Sequence, residues 1–104
     1  MGTKLDFMQY VEDQLSGLFG LRFKKMFGEY GIFIYEKMVG ILSDDQLFIK
    51  PTEQGVKLMS EPNYAPPYPG AKDYFLIENL EDKELLKELL LVTYEALPIP
   101  KKKK

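Results

Sequence analysis

The chain has 104 residues, which fits one domain and leaves no room for two. It contains no cysteine and no histidine, which excludes disulfides, thiol chemistry and the side chain most often used as a general base or zinc ligand. The net charge is −2, but without the four lysines at the C-terminus 10 positive charges stand against 16 negative ones, and a body with a net charge of −6 is a poor match for a nucleic-acid groove.

The first predicted element is an amphipathic helix over residues 4–19. Thr3 and Asp6 form a capping pair at its start, and Gly20 suits its end. Apolar residues recur at spacings of three and four, so they share one face of the helix. This face consists of Leu5, Met8, Val11, Leu15, Leu18 and Phe19.

A region of short strands follows the helix. Three apolar runs of strand length, separated by short connections, predict an antiparallel meander. Glu36-Lys37 and Asp44-Asp45 are the predicted turns, and Pro51 ends the last strand because it has no N–H to donate. The three runs cover residues 32–35, 38–42 and 46–49, and residues 22–27 are a further possible strand.

Gly28 and Gly31 precede the first apolar run and are predicted to be structural, at a tight turn or bulge that needs a positive φ. The alternative, a phosphate-binding loop, is disfavoured because such a loop opens onto a helix, whereas a strand follows here. Asp44 and Asp45 are predicted to form a turn rather than a cation site, since neighbours on a strand point to opposite faces. Together with the absence of cysteine and histidine, these interpretations predict no metal site and no cofactor.

The second half of the chain predicts a short helix, one or two strands and a final helix. Thr52 caps the short helix, which runs to about residue 59 with Val56 and Met59 on its inner side, and residues 74–77 form a strand. The final helix spans residues 82–97. Its predicted buried face consists of Leu86, Leu89, Leu90, Thr93 and Leu97.

This order of elements is typical of an α+β fold with two layers, in which helices pack on one face of a largely antiparallel sheet. Residues 1–97 form the predicted domain, and residues 98–104 form a tail rich in proline and lysine. The predicted core unites six residues from both layers, which are expected to be buried together. They are Leu15, Phe33, Ile41, Phe48, Leu86 and Leu90.

Residues 61–70 hold four prolines and a glycine, which excludes a regular helix or a central strand. Tyr64 and Tyr68 lie in this segment, and Lys72 follows it. Tyrosine is enriched at interfaces, and proline lowers the entropic cost of ordering a loop on binding. We therefore predict that Tyr64 or Tyr68 is exposed and binds a partner, with Lys72 at the rim. The alternative is that both tyrosines pack inward and pin the loop.

Arg22, Lys24 and Lys25 form the one internal cluster of basic residues. They are a weak candidate for an anion or nucleic-acid patch, and the competing interpretation is a solvated edge strand protected by its charges. The lysines at 101–104 leave a similar choice. They either contact nucleic acid or an acidic partner, or form a disordered, solubilising end.

Two stretches carry a resemblance to a known family. Residues 26–33 (Met-Phe-Gly-Glu-Tyr-Gly-Ile-Phe) and residues 65–72 (Ala-Pro-Pro-Tyr-Pro-Gly-Ala-Lys) are similar to the N-terminal domain of the TfoX competence regulators. The resemblance covers nearly the whole chain and implies a fold akin to that of secretion chaperones. It implies regulation or binding, with the transcription machinery as a candidate partner. The helical C-terminal domain of full-length TfoX regulators has no counterpart in this sequence.

The sequence favours a non-enzymatic protein-interaction module in the cytoplasm, since no nucleophile–base pair is evident and no stretch approaches the roughly 18 apolar residues of a membrane helix. A protein partner is expected at the sheet edge or at the loop of Tyr64 and Tyr68, and a homodimer is a further possibility. Neither nucleic acid nor a membrane is an expected partner. Two alternatives stay open: an accessory protein that binds nucleic acid through the basic tail and the Arg22 cluster, and a small-ligand binder with a pocket between sheet and helices.

Overall fold

The computed structural model describes residues 3–98 of the chain. The helices in this range are α1 (Leu5–Gln14), α2 (Glu53–Leu58) and α3 (Lys83–Ala96), and the strands are β1 (Leu21–Met26), β2 (Glu29–Ile34), β3 (Lys37–Ser43), β4 (Gln46–Ile49), β5 (Asn63–Ala65) and β6 (Tyr74–Ile77). The predicted tail lies outside the described residues, apart from Pro98. None of the helices between residues 3 and 98 combines enough length and apolarity to cross a membrane.

All six strands form one antiparallel sheet in the order β1-β2-β3-β4-β6-β5. The first four strands are consecutive neighbours in the sheet. Residues 21–26 pair with β2 along their whole length, so the meander has four strands instead of the three predicted. β5 joins the far edge by pairing with β6, a position that suits a segment rich in proline. β1 and β5 are therefore the two edges of the sheet.

The helices pack on one face of this sheet, which confirms the predicted α+β fold. Side chains of α1 and α3 meet alternate side chains of the strands in a single core, and Leu15, Leu86 and Leu90 belong to it as predicted. The buried members of this core are Val11, Leu15, Tyr30, Ile32, Ile34, Val39, Leu42, Leu47, Ile49, Phe75, Leu86, Leu89 and Leu90.

The other three predicted core residues do not belong to this core. Ile41 and Phe48 are buried, but on the opposite face of the sheet, because their strand neighbours Leu42 and Leu47 are the ones that face the helices. Phe33 is half-buried on that opposite face, between two core residues of β2. The prediction of one core for all six residues was therefore wrong. We call the side of the sheet away from the helices the outer face.

α1 is shorter than predicted and ends at Gln14 rather than near residue 19. Gly17 and Gly20 both have positive φ, 101° and 79°, so the backbone turns away although the apolar periodicity continues. Phe19 is 84% exposed, and Leu5 at the other end of the predicted buried face is 54% exposed.

The turn between β2 and β3 and the helix α2 each differ from the prediction in one respect. The hairpin of β2 and β3 turns at Tyr35-Glu36, one residue before the predicted pair, with a φ of 53° at Tyr35. Thr52 caps α2 as predicted, because its hydroxyl accepts a hydrogen bond of 2.9 Å from the Gly55 N–H. Val56 is exposed rather than inward, since Gly55 takes the buried position next to it.

Candidate functional site

The outer face carries an open cleft of about 530 Å³ beside the turn between β1 and β2. Its walls are mainly apolar and include two methionines, which are unbranched and polarisable and therefore adapt to differently shaped partners. We call this feature the outer cleft. The residues that line it are Met26, Phe27, Glu29, Tyr30, Met38, Ile41, Ser43 and Tyr68.

A second depression, of about 490 Å³, adjoins the outer cleft and shares Glu29, Ser43 and Tyr68 with it. Its other lining residues come from the β3–β4 hairpin and from the proline-rich loop. They are Asp44, Gln46, Phe48, Pro66, Pro67 and Pro69. Tyr68 therefore contributes to both depressions, which together extend from the β1–β2 turn to the loop after β5.

Phe27 is fully exposed at the tip of the hairpin of β1 and β2. Phe27 and Gly28 have φ angles of 52° and 81°, and a type I′ turn requires positive values at both central residues. Gly28 adopts this conformation freely, as predicted, whereas a bulky residue held there costs on the order of 1–3 kcal/mol. The Phe27 ring therefore contributes no burial energy to the fold, while the strained backbone of this residue lowers the stability of the fold. This combination makes Phe27 a candidate for binding.

The N-terminal segment ties this turn to the turn between β3 and β4. The Thr3 hydroxyl donates to Glu29 Oε1 at 2.6 Å, and the Thr3 N–H donates to the Gly28 carbonyl at 2.9 Å. The same Glu29 oxygen accepts a hydrogen bond of 3.1 Å from the Asp44 N–H. Thr3 therefore joins two turns instead of capping α1. Asp44 and Asp45 have φ angles of 53° and 58°, which confirms that they form a turn.

Gly31 lies inside β2 and has no positive φ, so the prediction of a turn was wrong for this residue. Its role is spatial. A Cβ atom added to Gly31 would lie 2.7 Å from Met26 Cε and 3.1 Å from the Phe33 ring. The missing side chain therefore makes room for Met26 in the wall of the outer cleft.

Tyr68 reaches the outer face from the loop after β5. The preceding Pro67 is buried and fixes the chain there, while the Tyr68 side chain is 56% exposed, as predicted. Burial, and secondarily the neighbouring Tyr68 hydroxyl, raise the pKa of Tyr74 above its ordinary value. The loop therefore holds Tyr68 in place next to Tyr74 and leaves much of its surface free.

Tyr64 and Lys72 lie away from the outer cleft. Tyr64 is 49% exposed, but it pairs with Phe75 across β5 and β6 on the helix side of the sheet, with ring centroids 5.4 Å apart. Lys72 is exposed and lines neither depression. Of the three residues predicted to bind a partner, the structure places only Tyr68 in the cleft.

The predicted basic cluster lies on β1 at the edge of the sheet and consists of Arg22, Lys24 and Lys25. Successive side chains of a strand point to opposite faces, so the three are divided between the two faces of the sheet. Arg22 is on the outer face, 4.7 Å above the centroid of the Phe33 ring, and donates to the Tyr35 carbonyl at 3.3 Å. Lys25 points to the opposite face from Arg22 and Lys24. The three charges do not converge, which favours the interpretation as a charged edge strand.

A third cavity, of about 410 Å³, lies between α2, α3 and β6, at the position considered for a small ligand. Leu86 and Leu89 contribute apolar surface to it, and Asn63 donates to Glu78 Oε1 at 3.3 Å among its lining residues. Between residues 3 and 98, no three side chains of the types that bind metals are grouped together.

Sequence reasoning missed Phe27 and the two methionines of the outer cleft. One signal was available, because a Phe-Gly pair between two strand-like runs has glycine where a type I′ turn needs it. That pattern indicates a turn but not the exposure of its first residue. Met26 and Met38 carry no comparable signal, since methionine is as common in cores as on binding surfaces.

Comparison with known proteins gives a family and one relative. A family model described as the TfoX N-terminal domain matches residues 13–97. A protein from Spirochaeta aurantia, described as an uncharacterized 12.7 kDa protein in the trpE 5′ region, is 39% identical over 105 residues, which cover 100% of this chain and 91% of the relative. No solved structure matches the chain.

Proposed function

This chain belongs to the TfoX N-terminal domain family, and we propose that it is a non-enzymatic protein-interaction module that holds its partner in the outer cleft. Phe27, Tyr68, Met26 and Met38 are the binding residues in this proposal. The family supports a regulatory role, with a component of the transcription machinery as the candidate partner. The absence of cysteine supports a cytoplasmic location.

The observation that carries the proposal is the conformation and exposure of Phe27. In the free chain its backbone is strained and its ring is solvated. Contact with a partner would bury the ring, and full burial of such a side chain contributes roughly 1.5–3 kcal/mol. Phenylalanine, tyrosine and methionine are the apolar residues enriched in the cores of interfaces.

The polar side chains of the outer cleft support binding rather than catalysis. The Glu29 carboxylate accepts hydrogen bonds from the Thr3 hydroxyl and the Asp44 N–H, so it is engaged in holding the two turns. Ser43 is buried, and the chain contains no histidine to activate its hydroxyl.

The test is the replacement Phe27→Asn in the full chain. It creates the Asn-Gly pair that type I′ turns prefer, so the fold is retained and the free energy of unfolding is expected to rise by up to about 1 kcal/mol. At the same time the aromatic ring is lost. Capture of partner proteins from native cytosol, quantified by mass spectrometry, should fall in Phe27→Asn and in Tyr68→Ala.

Phe19→Ser is the matched control, because Phe19 is 84% exposed and lies outside the outer cleft. It should leave partner capture unchanged. If Phe27→Asn and Tyr68→Ala recover the same proteins in the same amounts as the unchanged chain, the outer cleft is not the binding surface.

A further inference from the structure

We infer that the outer cleft binds a partner segment in which a lysine or arginine stands beside an apolar side chain. This inference rests on the proposed function and deepens it, because it names the chemistry of the partner. It is carried by the charges, the aromatic rings and the apolar walls of the two adjoining depressions.

The charged residues that line the two depressions are acidic. Among the residues that line the two depressions, Glu29 and Asp44 carry the charge, and no lysine or arginine is present. Within residues 3–98, the groups that donate to the Glu29 carboxylate are the Thr3 hydroxyl and the Asp44 amide, and neither brings a positive charge. Apart from the C-terminal lysines, the whole chain has a net charge of −6. A cation on the partner therefore meets a complementary field.

The aromatic rings of the outer cleft suit the same cation. An ammonium or guanidinium group is attracted to the face of an aromatic ring, and Phe27 and Tyr68 both display their rings to solvent. The chain already makes this contact on the outer face, where the Arg22 guanidinium lies 4.7 Å from the centroid of the Phe33 ring. Lysine and arginine also have apolar stems, which pack along apolar surface such as that of Met26.

The remaining wall of the outer cleft is apolar and requires an apolar neighbour for the cation. Met38 and Ile41 offer no hydrogen-bonding group to the cleft beyond the thioether, so an aliphatic or aromatic side chain fits against them. An acidic segment, by contrast, would bring its carboxylate against Glu29 and Asp44, and like charges at close range are unfavourable.

The experiment is a selection of random peptides displayed on phage against the intact chain, followed by titration of the enriched peptides by fluorescence anisotropy. The enriched peptides should carry lysine or arginine next to an aliphatic or aromatic residue, and their affinity should fall as salt is added. In the double variant Glu29→Gln and Asp44→Asn the affinity should fall about tenfold, the result expected when charged contacts at the interface are lost. Both substitutions retain the shapes of the side chains, and asparagine tolerates the positive φ of Asp44.

The matched control is the double variant Asp13→Asn and Glu88→Gln. It changes the net charge by the same amount at exposed positions of α1 and α3. Affinity should change by less than about twofold, because distant surface charges are screened by salt.

Three outcomes would overturn the inference. Enriched peptides that are acidic or uncharged, and that still require Phe27, would leave the proposed function in place with the wrong partner chemistry. The absence of any binding peptide, together with equal protein capture by the unchanged chain and Phe27→Asn, would overturn the proposed function as well. A homodimer that is weakened by the Glu29→Gln and Asp44→Asn variant would assign the outer cleft to a second copy of the chain instead of a separate partner.

Discussion

Between residues 3 and 98, two bulky residues hold a positive φ at hairpin turns, and the difference between them explains why Phe27 is the candidate for binding. Tyr35 has a φ of 53°, but its ring packs against Tyr94 with centroids 6.1 Å apart, so the strain is offset by contacts within the fold. Phe27 has a φ of 52° and a ring that is fully exposed. The Phe27 ring makes no contact within residues 3–98 that would offset the strain of its backbone. A favourable free energy from this ring would therefore have to come from contact with another molecule.

Tyr74 is expected to make the free energy of unfolding decrease at alkaline pH. Burial, and then the neighbouring Tyr68, raise its pKa, so the folded chain holds the phenolic proton more tightly than the unfolded chain does. The resulting contribution to the free energy of unfolding is fully present below the ordinary pKa of about 10 and is lost as the pH rises through the raised value. Urea unfolding across this range should show a shallower loss of stability in Tyr74→Phe than in the unchanged chain. An equally steep loss in both would assign the effect to other groups.

At the scale of the elements, the sequence predicted best those whose signals are local. α3 was expected over residues 82–97, and the helix spans Lys83–Ala96 with Asp82 accepting a hydrogen bond from the Leu85 N–H at its start. β6 has the predicted bounds, Tyr74–Ile77. Both elements are set by apolar periodicity and by the caps or turns that flank them.

The predictions that were wrong concern features that depend on contacts between distant parts of the chain. The face to which a strand directs its side chains depends on its register with its neighbours, so Ile41 and Phe48 were assigned to the wrong side of the sheet. The pairing of Thr3 with Glu29 spans 26 residues and has no local signature. The separation of Tyr64 from Tyr68 arises because β5 pairs with β6 before the loop crosses to the outer face.

α3 supplies the helical side of the core, which gives a direct test of its orientation. Leu90 is completely buried, whereas the next residue, Leu91, is 44% exposed. Leu90→Ala should lower the free energy of unfolding by about 2–5 kcal/mol through lost burial and the cavity left behind. Leu91→Ala is the control and should cost much less, because its side chain is partly solvated already. Similar losses in urea unfolding for both variants would contradict this orientation of α3.

At the scale of the whole molecule, the two faces of the sheet differ in their surroundings. The helix side holds the core that stabilises the fold. The outer face is buried at Ile41 and Phe48, and beside them it opens into the cleft between the Phe27 turn and the Tyr68 loop. A partner bound there would add a third layer to a sheet that, in the part of the chain described by the structure, has helices on one side only. The proposed function makes the claim that the partner is a protein and that it contacts Phe27.

Photo-crosslinking in cells tests that claim most directly. The full chain is expressed with Phe27→p-benzoylphenylalanine, which places a photoreactive aromatic group at the tip of the hairpin, and the matched chain carries the same group at the exposed position of Phe19. On irradiation, the group at position 27 is expected to form a covalent adduct with a distinct protein, and the group at position 19 is not. The absence of any protein adduct at position 27, or the same adducts at both positions, would contradict the account.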